Sequence, residues 1–363
     1  MPTQIDFAAI LKAINKVLPS QGEAYSLHEP MFAGNEWTYV KECLDTGWVS
    51  SVGKYVDLFE EKIAEAAHAR HAIACVNGTA ALHICLKLAG VQTGDEVLIP
   101  SLTFIATANA VDYCGAIPHF VDSSVDTLGV DPKVLREHLA QTIELRAGHA
   151  FNKKTGRRIG ALVVMHAFGH VCDMDELAAL SKEFSIPLIE DAAESLGSSH
   201  KGKPIGSWGV LSALSFNGNK IVTTGGGGAI LTADTALAKR AKHLTTTAKI
   251  PHKWAFEHDE VGFNYRLPNI NAALGCAQLE QLNGFIERKR ELAAKYAVAF
   301  GAIEATSGVH FFSEPKDSKS NYWLNVLLLD EKVTLEQRDQ LLSFLHENKI
   351  LARPAWNLLH RLK

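Results

Sequence analysis

The sequence predicts an α/β protein: a three-layer α/β/α domain on a mainly parallel, seven-stranded sheet, followed by a smaller C-terminal α+β domain. Three observations lead there. Between about residues 70 and 245, short apolar runs alternate with segments of helical periodicity. The runs are apolar throughout rather than every second residue, as strands covered on both faces are. Beyond about residue 250 that alternation stops and longer charged helical segments take over. With 363 residues, 47% of them hydrophobic, the chain can fill two cores, and the division is expected between 1–250 and 251–363.

Strands are expected at 72–76, 96–99, 119–121, 161–165, 187–189, 211–215 and 228–231. Amphipathic segments separate several of them, which is the pattern of βαβ units. Leu82, Cys85, Leu86 and Ala89 share one helical face, as do Leu177, Leu180 and Phe184 after Asp173. Residues 147–158 are polar and basic and read as a solvated surface loop. In the second domain, 280–300 and 335–347 read as helices, 323–329 as a strand, and 350–354 as a short strand or loop.

Composition narrows the function. A net charge of −4 leaves no electrostatic footprint for nucleic acid or an anionic membrane. Residues 1–6 lack the basic and apolar regions of a signal peptide, and no uncharged stretch is long enough to span a bilayer. The six cysteines include no C-x-x-C pair and read as small buried hydrophobes, so the cytoplasm is the expected compartment. His166 and His170 are four apart, but Phe168-Gly169 between them favour a strand end and loop over a helix. No metal site is expected.

Ligands of open parallel sheets bind at the carboxyl ends of the strands, and three suggestive segments fall there. Asn77-Gly78-Thr79-Ala80-Ala81 opens a helix, where free N–H groups and the helix dipole suit a phosphate; a plain N-cap by Asn77 or Thr79 is the alternative. Phe104, after the strand ending at Ile99, suits a flat heterocycle or the core. Glu190-Asp191 places two acids beyond the apolar run 187–189. Downstream, Lys220 follows Ser215 by five residues and precedes four glycines, Gly225 to Gly228. A lysine amine can hold an aldehyde covalently, and a carboxylate can keep a pyridine nitrogen protonated. Together they read as the two poles of a pyridoxal 5′-phosphate (PLP) site, with Ser215 toward the phosphate and the glycines allowing close backbone approach.

These residues resemble the DegT/DnrJ/EryC1/StrS sugar aminotransferases, within the aspartate-aminotransferase-like fold type I. The likeness runs from Leu27 to the C-terminus. It rests on Gly78-Thr79-Ala80, Pro100-Ser101-x-Thr103-Phe104, Glu190-Asp191-Ala192-Ala193-Glu194, Ser215-Phe216-x3-Lys220, Gly262-Phe263-Asn264-Tyr265-Arg266 and Arg353-Pro354. The resemblance implies that Lys220 carries PLP and that Asp191 binds its ring nitrogen. Gly78, Thr79, Ala80 and Ser215 would hold the phosphate, and Phe104 would stack on the ring. Glu194 stands where the family often has Gln or His near the ring hydroxyl. Asn264 would reach the phosphate of a neighbouring subunit, in a homodimer with shared sites. Relatives that run a sugar dehydration replace the lysine with histidine, so Lys220 favours transamination.

The segments 27–30 and 47–53 resemble a narrower branch, which aminates C-4 of UDP-4-keto-6-deoxy-N-acetylglucosamine toward bacillosamine or legionaminic acid. Trp48 and Ser50 would line its sugar pocket or form an ordered loop, and Arg266 and His360 are candidates for diphosphate or sugar contacts. The implied reaction moves the amine of L-glutamate to that nucleotide sugar. A GDP-linked or 3-keto sugar, or a non-catalytic nucleotide-sugar-binding role, are the alternatives. Similar proteins usually continue past the position of Lys363 through another short helix, which bears on the closing wall of the sugar pocket.

Overall fold

The computed structural model describes residues 5–19 and 24–363; the expectation for the leading residues 1–4 lies outside them. The seven expected strands all form. They are β1 (His71–Cys75), β2 (Glu96–Pro100), β3 (Ile117–Val121), β4 (Ile159–Met165), β5 (Leu188–Asp191), β6 (Leu211–Ser215) and β7 (Gly228–Thr232). They make one sheet in the order β1-β7-β6-β5-β4-β2-β3. The ladders from β6 to β3 are parallel, while β7 runs antiparallel to both β6 and β1.

Period-two alternation within these apolar strands divides the core. Ala72, Leu98, Leu162, Leu188, Leu214 and Ala229 face one buried layer. Ile73, Val97, Val163, Ile189, Ala213 and Ile230 face the other. The second layer is covered by helices Gly78–Leu88, Ile105–Tyr113 and Thr235–Thr245, and the first by Lys54–Ala66 and Met174–Glu183 among others. The result is the expected three-layer arrangement. Short polar side chains start these helices. Asn77 accepts from Ala80 N, Asp234 from Ala236 and Leu237 N, and Asp131 caps a helix with proline in its first turn.

Four expectations differ in detail. Glu190 and Asp191 belong to the end of β5 itself, since both are buried within the sheet. Residues 147–158 are not a free loop: His149–Asn152 pairs with Ile143–Arg146, and Asn152 and Thr155 donate to Glu96 (2.9 and 2.6 Å). The stretch 323–329 is a strand only over Leu327–Leu329. Before it, the Asn321 amide donates to the Glu194 and Leu196 carbonyls (both 2.9 Å), which takes this backbone out of any ladder and onto the loop that follows β5. The helix expected from 280 runs over Leu282–Gly301, because Glu280 closes the preceding helix Asn269–Leu279.

A third core gathers Ile10, Ile14, Phe300, Val309, Leu341 and Leu345. It joins the N-terminal helix Phe7–Val17 to the C-terminal elements. We therefore propose that the boundary near residue 250 holds with one amendment: residues 5–18 pack with the second domain.

Candidate active site

The β-ladder brings the predicted segments to one edge. Cys75 and Ser215 both pair with Gly228, so the ends of β1 and β6 flank the start of β7 on either side. A Cβ on Gly228 would meet the Asn77 carbonyl carbon and oxygen at 2.4 Å and Gly78 N at 2.7 Å. Only glycine allows this approach, and it presses the start of helix Gly78–Leu88 against the mouth of β6. A Cβ on Gly78 would in turn stand 2.9 Å from that of Ser215.

The helix start is a partial anion cradle. Asn77 is the cap, and its side chain takes the N–H of Ala80 (2.8 Å). Ala80 thus differs from the expectation, because its donor is already used. The N–H groups of Gly78 and Thr79 have no acceptor among the described residues. With the Ser215 hydroxyl beside them, they can hold a phosphate at the positive end of the helix.

Asp191 lies on the other side of this edge, 6% exposed. Its carboxylate accepts from the Thr107 hydroxyl (2.8 Å) and Ala193 N (3.3 Å), and Thr107 is itself 2.8 Å from Thr103 Oγ1. Burial raises its pKa, with the Thr107 hydrogen bond opposing. A buried acid in that condition wants a cationic partner, and a protonated ring nitrogen is one. Its neighbour Glu190 points to the opposite face and is consumed there. It accepts from Gly206, Trp208 and Gly209 N–H and from the Ser212 hydroxyl. Of the two acids, only Asp191 is available to a ligand.

Lys220 meets Glu194, with Nζ to Oε1 at 3.0 Å. The other oxygen of Glu194 accepts from Phe168 N (2.7 Å), whose backbone sits in the left-handed region at φ 60°. Burial raises the Glu194 pKa, and the charge of Lys220 opposes that rise. The face of Trp323 lies under the amine, 4.0 Å from Nζ to the ring centroid. Phosphate donors, a buried carboxylate without an ion-pair partner and a partly buried lysine amine therefore converge, and these residues fit PLP.

The remaining candidates surround this group at varying distance. Phe104 stays half exposed at the mouth of β2, its ring 6.0 Å from Trp356. His360 Nδ1 lies 3.2 Å from the Ser101 hydroxyl, at the same mouth. Arg266 donates to Asn264 Oδ1 (3.0 and 3.1 Å), and the bridge between Cys75 and Arg266 sets both beside the end of β1. Trp48 and Ser50 are tethered through their carbonyls to Asn269 and stay exposed, and no described contact joins either side chain to Lys220. His166 and His170 do not converge: His166 meets Glu190, while His170 packs edge-on to Phe312 and Tyr322. Thr107, Phe168 and Trp323 are additions that no local motif announces. The Thr103-x3-Thr107 spacing, one helical turn, is the only sequence signal among them.

The sequence pattern of the DegT/DnrJ/EryC1/StrS aminotransferase family matches residues 31–363. The chain belongs to that family. It is 38% identical to the GDP-perosamine synthase of Escherichia coli O157:H7 over 336 residues, 93% of this chain and 85% of that one. It is 34% identical to the UDP-4-amino-4,6-dideoxy-N-acetyl-beta-L-altrosamine transaminase of Campylobacter jejuni over 298 residues, 81% of this chain and 74% of that one. Among solved structures it is similar to the aminotransferase TlmJ from Streptoalloteichus hindustanus, with a TM-score of 0.81, 28% identity, and coverage of 93% and 86%. As a family member, the protein is a PLP-dependent sugar aminotransferase of fold type I. The alternative of a non-catalytic binding protein is set aside. No helix among the described residues is long and apolar enough to cross a membrane.

Proposed function

We propose that this enzyme transfers the amine of L-glutamate to the C-4 ketone of a nucleotide-linked 4-keto-6-deoxy sugar, with GDP as the first choice of carrier. The observation behind the carrier is the 38% identity to a GDP-perosamine synthase over 93% of the chain. The UDP-4-keto-6-deoxy-N-acetylglucosamine reading of segments 27–30 and 47–53 remains the second choice, supported by the 34% identical UDP-sugar transaminase.

When bound, PLP supplies an electron sink and a temporary carrier for the amine. The protein's own residues do the rest. Lys220 would anchor the cofactor covalently. Its Nζ takes the proton from the α-carbon of L-glutamate in the first half-reaction and delivers one to C-4 of the sugar in the second. Glu194 holds the amine at 3.0 Å between these tasks. Asp191, oriented by Thr107, would keep the ring nitrogen protonated, and its buried setting would strengthen that pairing. Gly78, Thr79 and Ser215 would bind the phosphate, and Phe104 would lie against the ring.

Arg266, His360, Trp48 and Ser50 are assigned to the nucleotide sugar, and Asn264 to the phosphate across a homodimer. Exposed Trp48, Val52, Trp254, Phe256 and Val261 support such an interface. The cytoplasm is the proposed compartment. The test is a panel of GDP- and UDP-linked 4-keto-6-deoxy sugars and a 3-keto sugar, each with L-glutamate. Preferential amination of the GDP sugar at C-4 is expected. Preference for the UDP sugar selects the second reading, and amination of the 3-keto sugar alone overturns both.

A further inference from the structure

A second lysine lies behind the first. Lys289, on helix Leu282–Gly301, donates from Nζ to the Trp323 carbonyl (2.9 Å) and lies 3.0 Å from His28 Nδ1. Burial alone lowers its pKa to about 8, and no carboxylate offsets it. The His28 ring is kept neutral, its pKa lowered to about 4 by burial and then by the Lys289 charge, so Nδ1 is free to accept. Beside these groups opens a cavity of about 310 Å³, lined by Leu27, Pro30, Ile221 and Phe285 as well.

Trp323 is fixed at three points. Its N–H donates to Asn321 Oδ1 (2.8 Å), its carbonyl accepts from Lys289, and its indole Nε1 donates to the Asn219 carbonyl (2.7 Å). Asn219 immediately precedes Lys220, and the clamped indole presents its face to Lys220 Nζ at 4.0 Å. One ammonium therefore ties the N-terminal segment and the small domain to the ring on which the reacting amine rests. A buried ammonium with no acid partner costs stability, and an apolar side chain of like shape would serve packing better. Its presence is explained by what it holds in place.

We propose that Lys289 is a positioning residue for the reaction: through Trp323 and His28 it sets the direction in which the Lys220 amine points. This rests on the assignment of Lys220 as the reacting amine. It does not require Lys289 to touch either substrate.

The test compares wild type with Lys289→Met, Lys289→Arg and His28→Leu, all as full-length protein. The rate at which acetic anhydride labels Lys220 in the cofactor-free protein is followed by peptide mass spectrometry, alongside thermal melting, kcat and KM. For Lys289→Met we expect a melting temperature no lower than wild type, kcat down about tenfold and KM within about twofold, as for a misaimed group. Lys220 labelling is expected to change by about threefold or more, with the indole near-ultraviolet circular dichroism moving in step. Lys289→Arg, which keeps the charge and donors, should recover part of both. If Lys289→Met fails to fold, His28→Leu carries the same expectation for labelling. Unchanged Lys220 labelling in the folded variants overturns the proposal, whatever happens to kcat. Wild-type turnover by Lys220→Ala would instead overturn the assignment beneath it.

Discussion

At the scale of single residues, the site is a balance of buried charges. Asp191 has no cation of its own, and Thr107 is the hydroxyl that keeps its carboxylate oriented (2.8 Å). Removing that hydrogen bond allows the carboxyl pKa, already raised by burial, to rise further and weakens its pairing with a ring cation. Thr107→Val should bind PLP about tenfold more weakly, close to 1.4 kcal/mol, in an absorbance titration. An unchanged affinity would mean that Asp191 is held well enough by Ala193 alone. The sequence made Lys220, Asp191 and Glu194 legible because strand ends and short motifs mark them. Strand periodicity alone could not separate Glu190 from Asp191, since adjacent acids on a strand differ only in the face they address; the family resemblance pointed to Asp191. Trp323 and Lys289 were invisible for a different reason. Their roles come from contacts with residues more than a hundred and more than thirty positions away, respectively.

Among the elements, the apolar strands could be read directly because burial on both faces favours apolar residues along most of their length. Helices with polar caps and a wide apolar face were legible too; Leu335–Glu347 has a Thr334–Gln337 capping box at its start. The helix Asn269–Leu279 was not, because it is buried on several sides and shows no polar stripe. Nor could sequence reveal that β7 turns antiparallel, although Gly228 is where this has consequences. Its contact with the Asn77–Gly78 backbone couples the last strand to the phosphate-binding turn. Gly228→Ala should cost about 1–3 kcal/mol in thermal or denaturant melts, as overpacking against backbone does. Cofactor affinity should fall with it. A melt and an affinity both matching wild type would show that the turn can move aside.

Across the whole molecule, three buried histidines, His28, His83 and His170, resist protonation. His170 stands between the large domain and Phe312 and Tyr322, and neither ring nitrogen has a partner among the described residues. Burial lowers its pKa from 6.5 to about 4, with the Glu314 charge opposing only in part. Between these values the unfolded chain takes up a proton that the folded chain refuses. Stability from this group is complete above pH 6.5 and is lost as the pH falls toward 4. His28 and His83, both lowered to about 4, act in the same direction. His170→Phe should therefore lose less stability than wild type on going from pH 7 to pH 5, by about 2 kcal/mol. Parallel pH curves for the two proteins would remove His170 from the account.

Whether Lys220 carries and serves the cofactor can be read from the absorbance spectrum of the PLP-loaded protein before and after L-glutamate, for wild type and Lys220→Ala. Wild type should show a yellow lysine-linked band that bleaches on adding glutamate and returns with a keto acid. Lys220→Ala should fold normally, lack that band and leave no turnover. A wild-type spectrum that glutamate does not move, or a Lys220→Ala variant that still aminates the sugar, would rule out that role for Lys220.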